Sequence, residues 1–191
     1  MDQESTKLSK SDRTRAAILD AARELFAGHG YERTTVRDIA ARAAIDPALV
    51  IRYFGSKDDL FARVAVIDLK LPDLSQVDRA NVGETLVRHF LKIWEGENGN
   101  GGLTVMLRSA TSNEFAAGKL REVFAGQVLP TLAKVGDVST MKERAGLISS
   151  QLLGLALGRY VLKLPPVVGL SREQIIREVG RTIQRYATGE D

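Results

Sequence analysis

The sequence predicts an all-α fold, a short three-helix head followed by a longer helical body. Three observations carry that prediction. Long alternations of apolar and polar residues are missing, so the strand signal is nearly absent. Apolar residues recur instead at three- and four-residue spacing through most of the chain. Capping residues precede these runs, and glycine or proline follows them.

The first helix spans 13–28. Ile18, Ala22, Leu25 and Phe26 share one face, Ser11 or Asp12 caps the start, and Gly28 or Gly30 ends it. Thr35-Val-Arg-Asp38 has capping-box spacing, with Asp in place of the usual Glu or Gln, and opens a second helix that runs out at Ala44-Ile45. Asp46-Pro47 restarts the chain: an N-cap acceptor precedes proline at the first helical position, where a missing N–H costs nothing. The third helix is therefore short, 47–54, and Gly55 stops it. Ser56 caps a fourth that runs from Lys57 to about Leu71, ahead of Pro72.

Later helices fall at 82–95, 103–111, 114–135 with a break near Pro130, 139–163 and 171–188. PDLSQVDR, the glycine-rich GENGNGG (96–102, read as a mobile connection) and LPPVVG join them.

Composition narrows the function. The 191 residues are 44% hydrophobic and 27% charged, ordinary for a globular chain with a buried core. There is no cysteine, which excludes disulfides and thiolate chemistry. The amino terminus MDQESTKLSKSDR lacks the apolar core of a leader, and LLGLALG (152–158) is too short for a membrane span. A soluble, cytoplasmic protein with no membrane partner is expected. His29 and His89 are the only histidines, with no metal-ligand spacing, nucleophile elbow or phosphate-cradling loop around them. No catalytic residue, metal or cofactor is therefore expected, and an enzyme is disfavoured. Net charge is +3, and the first 57 residues hold ten basic and eight acidic side chains. Bulk charge alone does not point to a nucleic acid.

The local pattern does. Two short helices joined by a tight turn match a helix-turn-helix over 35–54. Small residues at Ala40, Ala43 and Ala44 allow close approach, and Val36, Ile39, Ile45, Val50 and Phe54 can form a mini-core. That leaves Pro47, Ala48, Ile51, Arg52 and Tyr53 on the free face, suited to a DNA major groove. Thr35 and Arg37 at the start of helix two, with Ser56 and Lys57 at the start of helix four, bracket it as phosphate-seeking groups. Pairing of Arg52 with Asp58 or Asp59, and simple packing of Tyr53, are the competing local readings.

Residues 13–61 resemble the amino-terminal domain of tetracycline-repressor-type (TetR family) transcriptional regulators. The resemblance lies in ARELFAGHGYERTTVRDIAARA, Ile45, Asp46, the pair Tyr53-Phe54 and Ser56-Lys57-x-x-Leu60. It implies a head at 12–72 that binds double-stranded DNA at a palindromic operator, and a 73–191 domain for ligand binding and dimerisation. It also implies a homodimeric repressor released by a small inducer. By position, Thr35 and Lys57 would contact phosphate, Arg37, Pro47 and Ala48 would face base edges, and Tyr53 would bind phosphate. Two departures stand out. Ala44 replaces the customary turn glycine, so the turn either avoids the left-handed conformation or bears strain. Ile51 replaces a phosphate-gripping tyrosine, and Arg52 is the neighbour placed to compensate.

In the body, Leu86, Phe90, Ile93 and Trp94 share a face, as do Leu147, Ile148, Leu152 and Leu155, and both read as core. Ser150, Gly154 and Gly158 form a small-residue stripe that suggests close approach of another helix. With Ile176, Val179 and Ile183 of the last helix they are the expected dimer interface, since the resemblance implies pairing through the last two helices. Arg177, Arg181 and Arg185 read as a solvated face. Candidate ligand contacts are Phe61, His89, Phe90, Trp94, Met106, Arg108 and Phe115, a set that suits an apolar or amphipathic molecule. A DNA-binding helical protein without any ligand response remains the open alternative.

Overall fold

The computed structural model describes residues 9–96, 101–135 and 139–189. In chain order its helices are α1 (Lys10–His29), α2 (Val36–Arg42), α3 (Pro47–Phe54), α4 (Lys57–Val64), α5 (Val82–Glu95) and α6 (Gly101–Ala110). There follow α7 (Glu114–Val123), α8 (Leu129–Leu132), α9 (Met141–Ala156), α10 (Pro165–Val168) and α11 (Arg172–Thr188). No strand occurs among the described residues. The chain divides into two compact units. One ends at Val66 and takes in Gly101–Glu114; the other begins at Ile67 and resumes at Phe115.

The amino-terminal unit is organised by side-chain caps. Ser9, Thr35, Asp46 and Ser56 each accept a backbone N–H two or three residues on. Ser9, not Ser11 or Asp12, starts α1: its hydroxyl accepts from the Asp12 N–H at 3.1 Å and donates to the Asp12 carboxylate at 2.6 Å, which adds a turn to the expected helix. Thr35 and Asp38 make both bonds of the capping box, at 2.9 and 3.1 Å. Ala44 takes φ +55°, so the turn keeps the left-handed conformation and bears its cost without glycine. Ile18, Ala22 and Phe26 of α1, Ile39 of α2, Leu60 and Phe61 of α4, and Val105 of α6 are fully buried in this core.

Helix α4 stops at Val64, about two turns short of the expected Leu71. The backbone beyond finds other partners. The side chain of Gln127 accepts from the Leu69 N–H and donates to the Ile67 carbonyl, each at 2.8 Å, and the His89 ring lies 2.7 Å from the Leu69 carbonyl. These bonds satisfy the segment in a non-helical form, so continuing the helix offers no gain.

The carboxy-terminal unit is built around α11 lying along α5. At their crossing a Cβ on Gly83 would lie 2.2 Å from the Gly180 carbonyl and 2.5 Å from the Gln184 nitrogen, so only glycine permits this approach. Gln184 stitches the crossing: its side chain accepts from the Gly83 N–H and donates to the Arg79 carbonyl, both at 2.7 Å. The close helix contact within this chain thus sits at Gly83, and the stripe of α9 meets no other helix backbone among the described residues of the same chain. A Cβ on Gly154 would meet nothing within 4 Å, and one on Gly158 only the side chains of Leu164 and Val167. Leu147, expected in the core, is 42% exposed, because α9 buries the face carrying Met141, Ala145 and Ile148 instead.

The break near Pro130 is a π-helical turn, Phe124–Val128. The Leu129 N–H reaches back five residues to the Phe124 carbonyl, which shifts the register just ahead of a proline that has no N–H to give. A second such turn, Leu157–Val161, closes α9. Of the glycine-rich connection at 96–102, residues 97–100 lie outside the described residues, and Gly101 and Gly102 open α6. No helix among the described residues is long and apolar enough to cross a membrane.

Candidate nucleic-acid interface

Helix α3 is two turns long and presents two unlike faces. Val50 is buried, and Leu49, Tyr53 and Phe54 are half-buried. Pro47, Ala48, Ile51 and Arg52 are exposed. Asp46 fixes the start of the helix by accepting from the Ala48 N–H at 2.7 Å. A helix so short cannot hold itself together in water. Its cap and the packing of α2 and α4 against it hold it out as a small projection.

The side chains around it differ in how they are held. Arg37, on the exposed first turn of α2, has no hydrogen bond or ion pair with the described residues and is free to extend. Thr35, at the cap, donates its hydroxyl to Asp38 at 2.7 Å. The hydrogen bonds from the Thr35 side chain and backbone hold the Asp38 carboxyl below the usual carboxylate range. Arg52 does not pair with Asp58 or Asp59. Its guanidinium lies 5.4 Å from the Tyr53 ring centroid, and Arg15 of α1 approaches the same ring at 5.1 Å. A hydrogen bond with Ser11, then the Arg52 hydrogen bond and the charges of Arg52 and Arg15, hold the Tyr53 phenol below its ordinary value. Tyr53 is therefore the centre of a basic group drawn from α1 and α3.

At the start of α4, Ser56 accepts from the Asp59 N–H at 3.0 Å and donates to the Asp59 carboxylate at 2.6 Å. Lys57 is half-buried: its ammonium donates to the Tyr31 carbonyl at 3.0 Å and sits 3.9 Å from the centroid of the Tyr31 ring. Thr35, Arg37, Pro47, Ala48, Arg52, Tyr53, Ser56 and Lys57 all belong to one unit, on or beside the helix-turn-helix. The arrangement can offer guanidinium, ammonium and hydroxyl groups to phosphates while α3 presents short apolar side chains and an arginine between them.

Sequence reasoning missed Tyr31, Thr34 and Ser109. Tyr31 is buried, stacks on Phe26 and meets Phe61 edge-to-face in an aromatic trio. Its signal was available, as an aromatic set in a polar turn just after a helix-ending glycine. Thr34 is fully buried, its hydroxyl on the Gly30 carbonyl at 2.9 Å. Ser109 accepts the Tyr31 N–H at 3.1 Å from 78 positions away, a contact no local pattern announces.

The candidate ligand residues divide between the units. Phe61 and Met106 are fully buried in the amino-terminal one, Phe61 as a member of the aromatic trio. Arg108 borders a cavity of about 360 Å³ there with His29, Gly30, Glu32, Arg33 and Ser112. In the other unit Phe90 and Trp94 pack with Tyr160, whose ring stacks on Trp94 at 4.8 Å. Burial, then the Glu95 carboxylate that accepts its hydroxyl at 2.8 Å, raise the Tyr160 phenol well above its ordinary value. His89 is engaged with Leu69, and Phe115 is 39% exposed beneath the Lys119 ammonium.

Of the candidate interface residues, Ser150 and Gly154 are exposed on α9, Val179 is half-buried, and Gly158, Ile176 and Ile183 are buried within the chain. Arg177 and Arg181 pair with Glu178 at 2.6 and 3.6 Å, as a solvated face would. Among the described residues no group of three or more His, Asp or Glu side chains is placed to hold a metal ion.

Comparison with known proteins agrees with this geometry. A helix-turn-helix transcriptional repressor of Mycobacterium tuberculosis is 53% identical over 49 residues, which is 26% of this chain and 26% of that protein. The match thus spans only about a quarter of the relative's length. The crystal structure of a TetR-family regulator from Streptomyces coelicolor superposes with a TM-score of 0.61 at 29% identity, covering 95% of this chain and 98% of that one. The complex of SmeT with triclosan, SmeT being the repressor of a Stenotrophomonas maltophilia multidrug efflux pump, gives a TM-score of 0.62 at 19% identity over 91% of this chain and 89% of that one. At that identity the likeness is one of fold. Residues 18–64 match the profile of bacterial regulatory proteins of the tetR family, and residues 80–187 that of the tetracyclin repressor-like C-terminal domain. The first profile lies on the capped helices that hold out α3 and the second spans the unit built on α5 and α11, so the chain belongs to the TetR family of bacterial regulatory proteins.

Proposed function

We propose that the chain is a homodimeric transcriptional repressor that binds a palindromic operator in double-stranded DNA. The observation that carries this is the two-faced α3, with Val50 buried and Pro47, Ala48, Ile51 and Arg52 exposed beside an unengaged Arg37. In the complex α3 enters the major groove. Arg37 and Arg52 donate to guanine, and Pro47 and Ala48 pack on thymine methyls. Thr35, Tyr53, Ser56 and Lys57 hold the flanking phosphates.

The 12–72 segment serves as the DNA-binding head and 73–191 as the ligand-binding and dimerisation part. The exposed stripe Leu147, Ser150, Gly154 supports α9 as the pairing surface, joined by the free side of α11. An apolar or amphipathic ligand that releases DNA would draw on the aromatic group Phe90, Trp94 and Tyr160 near His89. The triclosan bound by SmeT belongs to the same broad class.

Selection of bound duplexes from random DNA tests the reading. An enriched inverted repeat with half-sites about one helical turn apart is expected. Recovery of no enriched sequence, with no binding to any duplex at low salt, would overturn it.

A further inference from the structure

Tyr31 makes four contacts that meet at the proposed phosphate site. Its N–H donates to Ser109 of α6 at 3.1 Å. Its carbonyl accepts from the Lys57 ammonium at 3.0 Å, and its ring lies 3.9 Å beneath that ammonium. Its hydroxyl donates to the Asp58 carboxylate. The ring is itself wedged between Phe26 and Phe61 at centroid distances of 5.9 and 5.1 Å. Ser109 is fully buried and Tyr31 nearly so.

We infer that Tyr31, anchored by Ser109, is the positioning residue that holds the Lys57 ammonium ready for a DNA phosphate; this rests on the DNA-binding reading above. A lysine on a free four-carbon stem samples many rotamers and loses that freedom when it grips an anion. Here the stem is already ordered. One of the three ammonium donors is taken by the Tyr31 carbonyl, which leaves two for a phosphate. The ring face stabilises the cation without neutralising it. Tyr31 also restrains the nearest competitor. Asp58 is adjacent in sequence and could pair with Lys57, yet its carboxylate is turned to the Tyr31 hydroxyl, and Lys57 forms no ion pair with the described residues. Ser109 thereby brings α6, far along the chain, into the geometry of the DNA contact.

The test is fluorescence anisotropy of a labelled duplex from the selected pool, titrated at several salt concentrations. Lys57→Ala lowers the slope of log affinity against log salt by about one. Tyr31→Phe keeps the ring between Phe26 and Phe61 but frees Asp58, and Ser109→Ala removes the acceptor of the Tyr31 N–H. Each is expected to weaken binding roughly three- to tenfold in the parent protein and to have no further effect in the Lys57→Ala background. Thermal melting of each variant identifies any that unfolds, and Tyr31→Phe, which preserves the packing, carries the test if Ser109→Ala does. Equal losses with and without Lys57 would overturn the positioning role and leave DNA binding intact. Failure of the parent protein to bind any duplex would instead sink the reading beneath it.

Discussion

The two units solve the same problem, where to send backbone hydrogen bonds outside the helices, with a different balance of local and distant partners. In the amino-terminal one the partner is two or three residues away: Ser9, Thr35, Asp46 and Ser56 each cap their own helix. The carboxy-terminal one has local caps as well, at Asp73, Asp78 and Ser171, but adds clasps between separate segments. Gln127 serves Ile67 and Leu69, Gln184 serves Gly83 and Arg79, and Arg159 donates to the carbonyls of Val167, Val168 and Leu170 at 2.8, 3.0 and 3.1 Å. Local caps let a small head hold a precise shape with little core. Distant clasps make the body's helix positions depend on one another. A unit proposed to read DNA would gain from the first arrangement, and one proposed to respond to a ligand would gain from the second, because a disturbance at one clasp is felt at another element.

The largest effect should come where the body's helices touch. Gly83→Ala would set a methyl against the α11 backbone, and backbone cannot swing aside as a side chain can. A loss of about 3 kcal/mol in urea unfolding is expected, the upper range for overpacking. Gly154→Ala meets nothing within the chain and replaces a helical glycine, so any destabilisation it causes must come from a second copy. An unchanged midpoint for Gly83→Ala would remove the idea that this crossing organises the unit.

Next come the clasps and caps themselves. Gln127→Ala leaves the Leu69 N–H and Ile67 carbonyl without their partner and should cost about 2 kcal/mol, with the Leu69 amide losing protection from hydrogen exchange. Asp46→Ala should cost about 1 kcal/mol, with exchange rising only at the first turn of α3. If the Asp46 change loosened the whole head, or the Gln127 change stayed confined to Leu69, the contrast between local and distributed support would fail.

What could be read from the sequence follows the same division. The capping box at Thr35, the restart at Asp46-Pro47 and the stop at Gly55 were legible, since each needs only a few neighbouring residues. The end of α4 was not. Val66, Ile67 and Leu69 read as two more helical turns, and the bonds of Gln127 and His89 to Ile67 and Leu69 show what the chain gains by leaving the helix. The glycine contact within the chain was not legible either. Gly154 and Gly158 form a visible stripe, whereas Gly83 and Gly180 are lone glycines on two helices whose pairing no local rule predicts. Among the proposed DNA contacts, the freedom of Arg37 and the restraint of Lys57 look alike in one dimension. They differ because Tyr31, brought in by packing, lies under only one of them.

The smallest expected effect is the sharpest on locality. Asp38 is exposed, and the Thr35 side chain and backbone bonds hold its carboxyl below the usual range. A carboxyl whose folded value lies below its unfolded one, about 3.9, favours folding above that pH, and the benefit fades as pH falls through the folded value. The stability of the parent protein should therefore drop slightly more steeply below about pH 4 than that of Thr35→Val, in which the side-chain bond is gone. A carboxyl titration followed by NMR should show the Asp38 midpoint moving up toward the unfolded value in that variant while the other head carboxylates stay where they were. A shift spread across Asp46, Asp58 and Asp59 as well would mean that the caps communicate, and that the head is not the set of independent local solutions its hydrogen bonds describe.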